Sequence, residues 1–113
     1  MAIYDAFDVV VVPFPFTDRT ATKRRPALAL SRWTSFGVGI EHSVMAMITS
    51  AAHVPWPLDT PIRDPAKAGL TADSLIRMKL FTLDHRLITR KIGALSAEDR
   101  EAVLSSLRKL FGL

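Results

Sequence analysis

Apolar residues fall in short runs broken by proline, glycine and charge until the last eighteen positions, where they recur at helical spacing. Asp8-Val-Val-Val-Val-Pro13 predicts a first strand, because four β-branched residues in a row suit a strand buried on both faces. Pro13-Phe-Pro-Phe-Thr-Asp18 ends it, since two prolines do not extend a central strand. Phe14 and Phe16 either cover the core edge, the reading preferred, or face a binding surface. Thr17 to Lys23 is a polar loop with Asp18, Thr20 and Thr22 as turn formers, and its far end is the basic triplet Lys23-Arg24-Arg25. Pro26 to Ser31 is the second strand, and Arg32 to Gly39 a polar connection. Ser43 to Thr49 is a third strand, ending in the hydroxyl pair Thr49-Ser50.

Val54-Pro-Trp-Pro-Leu58 reads as an extended edge strand because of its prolines, and Asp59 to Ala68 as loop. Asp73 to Lys79 is a further strand, with a turn or single helical turn around Asp84-His-Arg86 before a strand at Ile88 to Ile92. Ser96 is an N-cap and Asp99 completes a variant capping box. Glu98, Asp99 and Glu101 near the helix start and Arg108 and Lys109 near its end suit the macrodipole. Val103, Leu104, Leu107, Leu110 and Phe111 form one apolar stripe to pack on the sheet, and Gly112 terminates the helix. The pattern predicts a single mainly β domain over residues 1–113: about six short strands in a small, strongly curved antiparallel barrel, with a C-terminal α-helix.

Composition narrows the class. The chain has 113 residues, 49% hydrophobic and 23% charged, which is that of one globular domain. It has no cysteine, which excludes disulfides and thiolate metal sites. Asp5 and Asp8, not cations, precede the first apolar run, the reverse of a signal peptide, and no apolar segment approaches the ~20 residues of a membrane span. The expectation is a cytoplasmic protein with no membrane association. Net charge is +4, and twelve of the fifteen cations but eight of the eleven anions lie before Ser96, so the whole excess sits in the body. A positive body attracts nucleic acid or an acidic protein.

The densest chemistry is Lys23-Arg24-Arg25-Pro26, cations at the entrance of a strand, where Arg forks match phosphate geometry. Together, Asp8 to Asp18, Lys23 to Ser31, Ile48-Thr-Ser50, Asp73 to Asp84, Ile92 to Ser96 and the final helix resemble the MazF/PemK family of toxins from bacterial type II toxin–antitoxin systems, most closely its PemK-like branch. The resemblance implies an SH3-like barrel shared with a gyrase-poisoning toxin family, a homodimer, and an endoribonuclease that cuts single-stranded messenger RNA sequence-selectively. It implies no metal or other cofactor: the 2′-hydroxyl attacks its neighbouring phosphate, leaving a cyclic phosphate and a 5′-hydroxyl. A small acidic antitoxin is the implied protein partner.

By matching position the resemblance makes Arg25 and Thr49 the catalytic core. Lys23, Arg24, Asp18, Ser50, Arg77 and Lys79 are candidate RNA contacts. Three positions depart from the family pattern. Lys79 stands where some relatives carry an acid, the first loop offers only Asp18 where some carry histidine or glutamate, and Phe7 replaces a glycine, a difference of packing.

Cleavage through a 2′-hydroxyl needs a proton acceptor, stabilisation of the phosphorane and a proton for the 5′-oxygen. Arg25 suits phosphorane stabilisation and leaving-group protonation but is a poor base, because a guanidinium holds its proton tightly. Thr49 can donate to a nonbridging oxygen. Asp18 and His53 are the candidate bases, ahead of His42 and His85, and no two histidines are spaced as metal ligands. Arg77 divides between RNA contact and ion pairing. Trp33 and Trp56 either stack on bases or pack, and packing is preferred. The alternatives to the nuclease are a gyrase-poisoning toxin of the same fold and a non-catalytic RNA-binding barrel, which Lys79 keeps open.

Overall fold

The computed structural model describes residues 2–14 and 23–113, so Phe16 and Asp18 lie outside the described residues. The strands are β1 (Asp8–Phe14), β2 (Lys23–Ala29), β3 (His42–Ser50), β4 (Thr60–Pro61), β5 (Ser74–Asp84) and β6 (Arg90–Ala94), followed by helix α1 (Ala97–Phe111). They form one antiparallel sheet in the order β4-β5-β3-β2-β1-β6. The sheet curls into a half-barrel with α1 on one side, in agreement with the mainly β fold expected.

Strand alternation explains the valine run. Val9 joins Leu28, Ala46, Ile48, Ile76, Leu95 and Val103 in the core beneath α1, whereas Val10 and Val12 join Ala27, Met45, Leu83 and Ile88 on the opposite face. Both faces of β1 are therefore buried.

β2 begins at Lys23, three residues before the predicted start at Pro26, so the basic triplet lies inside the strand and not at a loop's end. Phe14, Pro13 and Val12 of β1 pair with Lys23, Arg24 and Arg25 and draw the charged residues into the ladder. Pro26 is accommodated because β3 pairs only with Ala27–Ala29, leaving no β3 partner for its missing N–H.

Val54–Leu58 is not a strand. Asp59 closes a turn there, its carboxylate accepting the Trp56 N–H at 2.8 Å and its own N–H donating to the Trp56 carbonyl at 3.1 Å. The edge strand is the two-residue β4, which follows this turn. β5 is longer than predicted because β3 supplies a partner along nearly its whole length, out to Asp84. One irregularity interrupts it: Ala46 faces Leu80 but Met47 faces Arg77, which leaves Met78 and Lys79 as extra residues on β5. Such a bulge bends the strand and re-aims nearby side chains. β6 starts two residues later than predicted, after a helical turn at His85–Leu87.

Ser96 caps α1 by accepting the Asp99 N–H at 3.1 Å, and Gly112 ends it with φ 71°. The Asp99 carboxylate does not complete a capping box. It is buried and accepts the Arg63 and Asp64 N–H groups at 2.9 and 3.0 Å, tying the helix to the chain after β4. Thr60 and Ser106 add a hydroxyl pair at 2.7 Å. Of the apolar stripe, Val103 is buried and Leu104 and Leu107 half-buried, but Leu110 and Phe111 are exposed. Phe7 has φ 72°, a backbone region that glycine adopts at least cost, so the departure there bears on backbone strain as well as on packing. Among the described residues no helix is long and apolar enough to cross a membrane.

Candidate active site

Alternation along β2 sends Arg24 and Arg25 to opposite faces. Arg25 shares the face of Ala27. The β2–β3 register, Ala27 opposite Met47, sets it across from Thr49 when extended two residues past the last pair. Arg25 and Thr49 line one cleft of about 460 Å³ with Phe14, Met47, His53, Arg77, Lys79 and Phe81.

Arg25 is half-buried, its guanidinium 5.8 Å from the centre of the Phe14 ring. Its Nε–H is buried and makes no hydrogen bond among the described residues. A buried donor without a partner costs about 1–3 kcal/mol, so a ligand that accepts from it recovers that cost. Thr49 Oγ1 lies 2.5 Å from His53 Nδ1. The turn that places His53 is closed by its own N–H donating to the Ser50 carbonyl at 3.2 Å.

Arg77 pairs with Asp59 through Nε and Nη2, at 3.2 and 3.0 Å, and donates to the Val54 carbonyl at 2.8 Å. Burial pushes the Asp59 carboxyl up, but the Arg77 and Trp56 hydrogen bonds and the Arg77 charge outweigh it and hold it below the usual carboxylate range. The Asp59 bond raises Arg77 in turn. Lys79 sits 4.5 Å above the Trp56 ring, and Arg77 lies 6.0 Å from it. Among the described residues no carboxylate lines the cleft, and with Arg77 neutralised by Asp59 their excess charge there comes from Arg25 and Lys79.

Lys23 and Ser50 are exposed. By alternation Lys23 shares Arg25's face, and the Ser50 hydroxyl accepts the Ala52 N–H at 3.2 Å. Arg24 donates to Thr89 Oγ1 at 2.7 Å and lines a second groove, of about 590 Å³, with Thr71, Ser74 and Arg90. That groove is larger and Arg25 borders it as well, but its described lining holds no histidine or carboxylate, whereas the smaller cleft holds His53. Trp33 stacks on the buried His85, the packing preferred for it, whereas Trp56 is exposed. His85 is bonded to Ser43 through Nε2 at 2.7 Å, away from the cleft. Among the described residues no group of three or more His, Asp or Glu is placed to hold a metal ion. Asp59 is the residue that sequence reasoning passed over. The turn chemistry of Pro57-Leu58-Asp59 was the signal available, but its pairing with Arg77 needs the fold.

Residues 5–111 match the family of PemK-like, MazF-like toxins of type II toxin–antitoxin systems. The chain belongs to this family. No curated protein matches it in sequence. Solved structures share its fold, among them the following three. MazF in a MazE–MazF crystal from Deinococcus radiodurans is 23% identical with a TM-score of 0.76, covering 99% of both chains. The Mycobacterium tuberculosis toxin MazF-mt6 is 21% identical with a TM-score of 0.73, over 94% of this chain and 97% of the other. A mycobacterial endoribonuclease in complex with its cognate antitoxin is 14% identical with a TM-score of 0.74, over 100% and 97%.

Proposed function

We propose that this member of the family is a metal-independent, sequence-selective endoribonuclease that cleaves single-stranded messenger RNA through attack of a 2′-hydroxyl on the adjacent phosphate. The observation that carries the reading is Arg25, its buried Nε–H unpartnered among the described residues, in a cationic cleft shared with Thr49. A ribose 2′-oxygen attacking phosphorus builds a phosphorane with added negative charge. Arg25 supplies fixed charge and forked donors to its nonbridging oxygens, and Thr49 supplies a hydroxyl. Arg25 also steadies the departing 5′-oxygen as it is protonated. Lys79 and Lys23 attract flanking phosphates, and Trp56 offers an exposed ring to an unpaired base. Arg77, already paired with Asp59, stiffens the cleft wall and presents its remaining N–H groups to RNA. On the other face Arg24 is available to a continuing strand. The positive body suits an acidic antitoxin that competes for the same cleft, and the active species is a homodimer.

The test compares the protein with Arg25→Ala on a long single-stranded RNA, in cleavage and in binding. The unmodified protein is expected to cut. The variant should lose at least about 10²-fold in rate while binding survives. Binding without cutting by the unmodified protein would instead identify a non-catalytic RNA-binding barrel.

A further inference from the structure

Neither Arg25 nor Thr49 can take the proton from the attacking 2′-hydroxyl near neutral pH. The first is permanently cationic and the second is far too weak a base. Among the described residues lining the cleft, one side chain carries a neutral ring nitrogen able to accept a proton, and it is His53. The other ionisable groups there are cations: Arg25 on β2, and Arg77 and Lys79 on β5, with Asp59 outside the cleft and committed to Arg77.

We infer that His53 is the general base of the cleavage reaction, held by Thr49 through Nδ1 so that Nε2 is left to accept the 2′-hydroxyl proton. The inference rests on the ribonuclease reading above and adds the group that reading lacks. In the tautomer with the proton on Nδ1, His53 donates to Thr49 Oγ1 across the 2.5 Å contact. The Thr49 O–H then turns outward to a nonbridging phosphate oxygen. As the 2′-oxygen bonds to phosphorus its proton passes to Nε2, and the P–O5′ bond breaks with its electron pair leaving on O5′. O5′ takes a proton from solvent water, and His53 later returns its own to solvent. The products are a 2′,3′-cyclic phosphate and a 5′-hydroxyl. The imidazolium formed at the moment of attack is a stronger donor to Thr49, which polarises the Thr49 O–H while charge builds on the phosphorane. Proton acceptance and oxyanion stabilisation are thus joined through one hydrogen bond.

The experiment follows single-turnover cleavage of a single-stranded RNA that the unmodified protein cuts, from pH 5 to 9, for the protein, His53→Ala, His53→Asn and Asp18→Asn. Binding is measured on the same RNA carrying a 2′-deoxy nucleotide at the cut. Both His53 variants should bind normally and lose about 10²–10⁴-fold in rate. They should also lose the acidic limb of the profile, and added imidazole should restore part of the rate to His53→Ala. Asn keeps a donor to Thr49 but takes no proton. Full activity in His53→Asn would therefore reduce His53 to a positioning residue and overturn the inference. An acidic limb that survives in His53→Ala and vanishes in Asp18→Asn would also overturn it. If the unmodified protein cuts no RNA, the ribonuclease reading itself fails, a result distinct from either.

Discussion

Replacing Asp99 by alanine removes the clamp between α1 and the chain that follows β4. The carboxylate is 1% exposed and accepts two backbone N–H groups, from Arg63 at 2.9 Å and Asp64 at 3.0 Å. A hydrogen bond to a charged group contributes roughly 1.5–3 kcal/mol, so losing both costs about 3 kcal/mol at the lower end. Near 100 residues each kcal/mol shifts the melting temperature by about 4 °C, which predicts a fall of about 12 °C. Asp99→Asn leaves one carbonyl acceptor and turns an amide donor toward the other N–H, so it recovers no more than half. Ser96→Ala removes only the cap and should cost about 1 kcal/mol, or about 4 °C. Thermal melts followed by circular dichroism at one protein concentration rank the three. A Tm for Asp99→Ala at or above that of Ser96→Ala would refute the claim that this buried carboxylate, more than the cap, fixes the helix to the sheet.

Other outcomes follow from the same geometry. Burial pushes the His85 imidazole below its ordinary value of 6.5, outweighing the nearby Glu41 charge, so the folded protein holds the ring neutral while the unfolded chain protonates it. Its contribution to stability is complete above 6.5 and is lost as pH falls from there toward the folded value. Urea midpoints should therefore drop between pH 7.5 and 5, and the drop should shrink in His85→Gln. A Cβ on Gly93 would lie 2.4 Å from the Ala68 carbonyl carbon and 2.5 Å from the Lys67 carbonyl oxygen. Gly93→Ala must part β6 from the 67–68 turn, and denaturant unfolding should show a loss of about 1–3 kcal/mol.

The parts of the fold that could be read from the sequence are those whose pattern is local. Four valines in a row announced a strand buried on both faces, and Ser96, the apolar spacing and Gly112 bounded the helix. Two strands differ from the pattern's prediction, one because its partner strand decides it and one because a local turn overrides the extended reading. Lys23-Arg24-Arg25 looks like loop until β1 is set beside it, and Pro55-Trp56-Pro57 looks extended until the Asp59 carboxylate closes its turn. The candidate site divides in the same way. Arg25 and Thr49 were named by family resemblance, and the β2–β3 register accounts for their sharing a cleft. In sequence Arg77 divides between two roles because Asp59, eighteen residues away, is brought to it only by the sheet. His53 was one of several candidate bases. What singles it out is a turn of four residues that returns its ring to the Thr49 hydroxyl, a closure without a sequence signature.

In the proposed reaction a guanidinium and a hydroxyl grip an RNA linkage while its own ribose cuts it. The most direct measurement is to map both ends of RNA cleaved by the purified protein in EDTA. Discrete cut sites bearing 5′-hydroxyl and 2′,3′-cyclic phosphate ends are expected, formed without divalent metal and absent when the nucleotide at the cut is 2′-deoxy. Cutting that persists at the deoxy position, or that leaves 5′-phosphate ends, would contradict it.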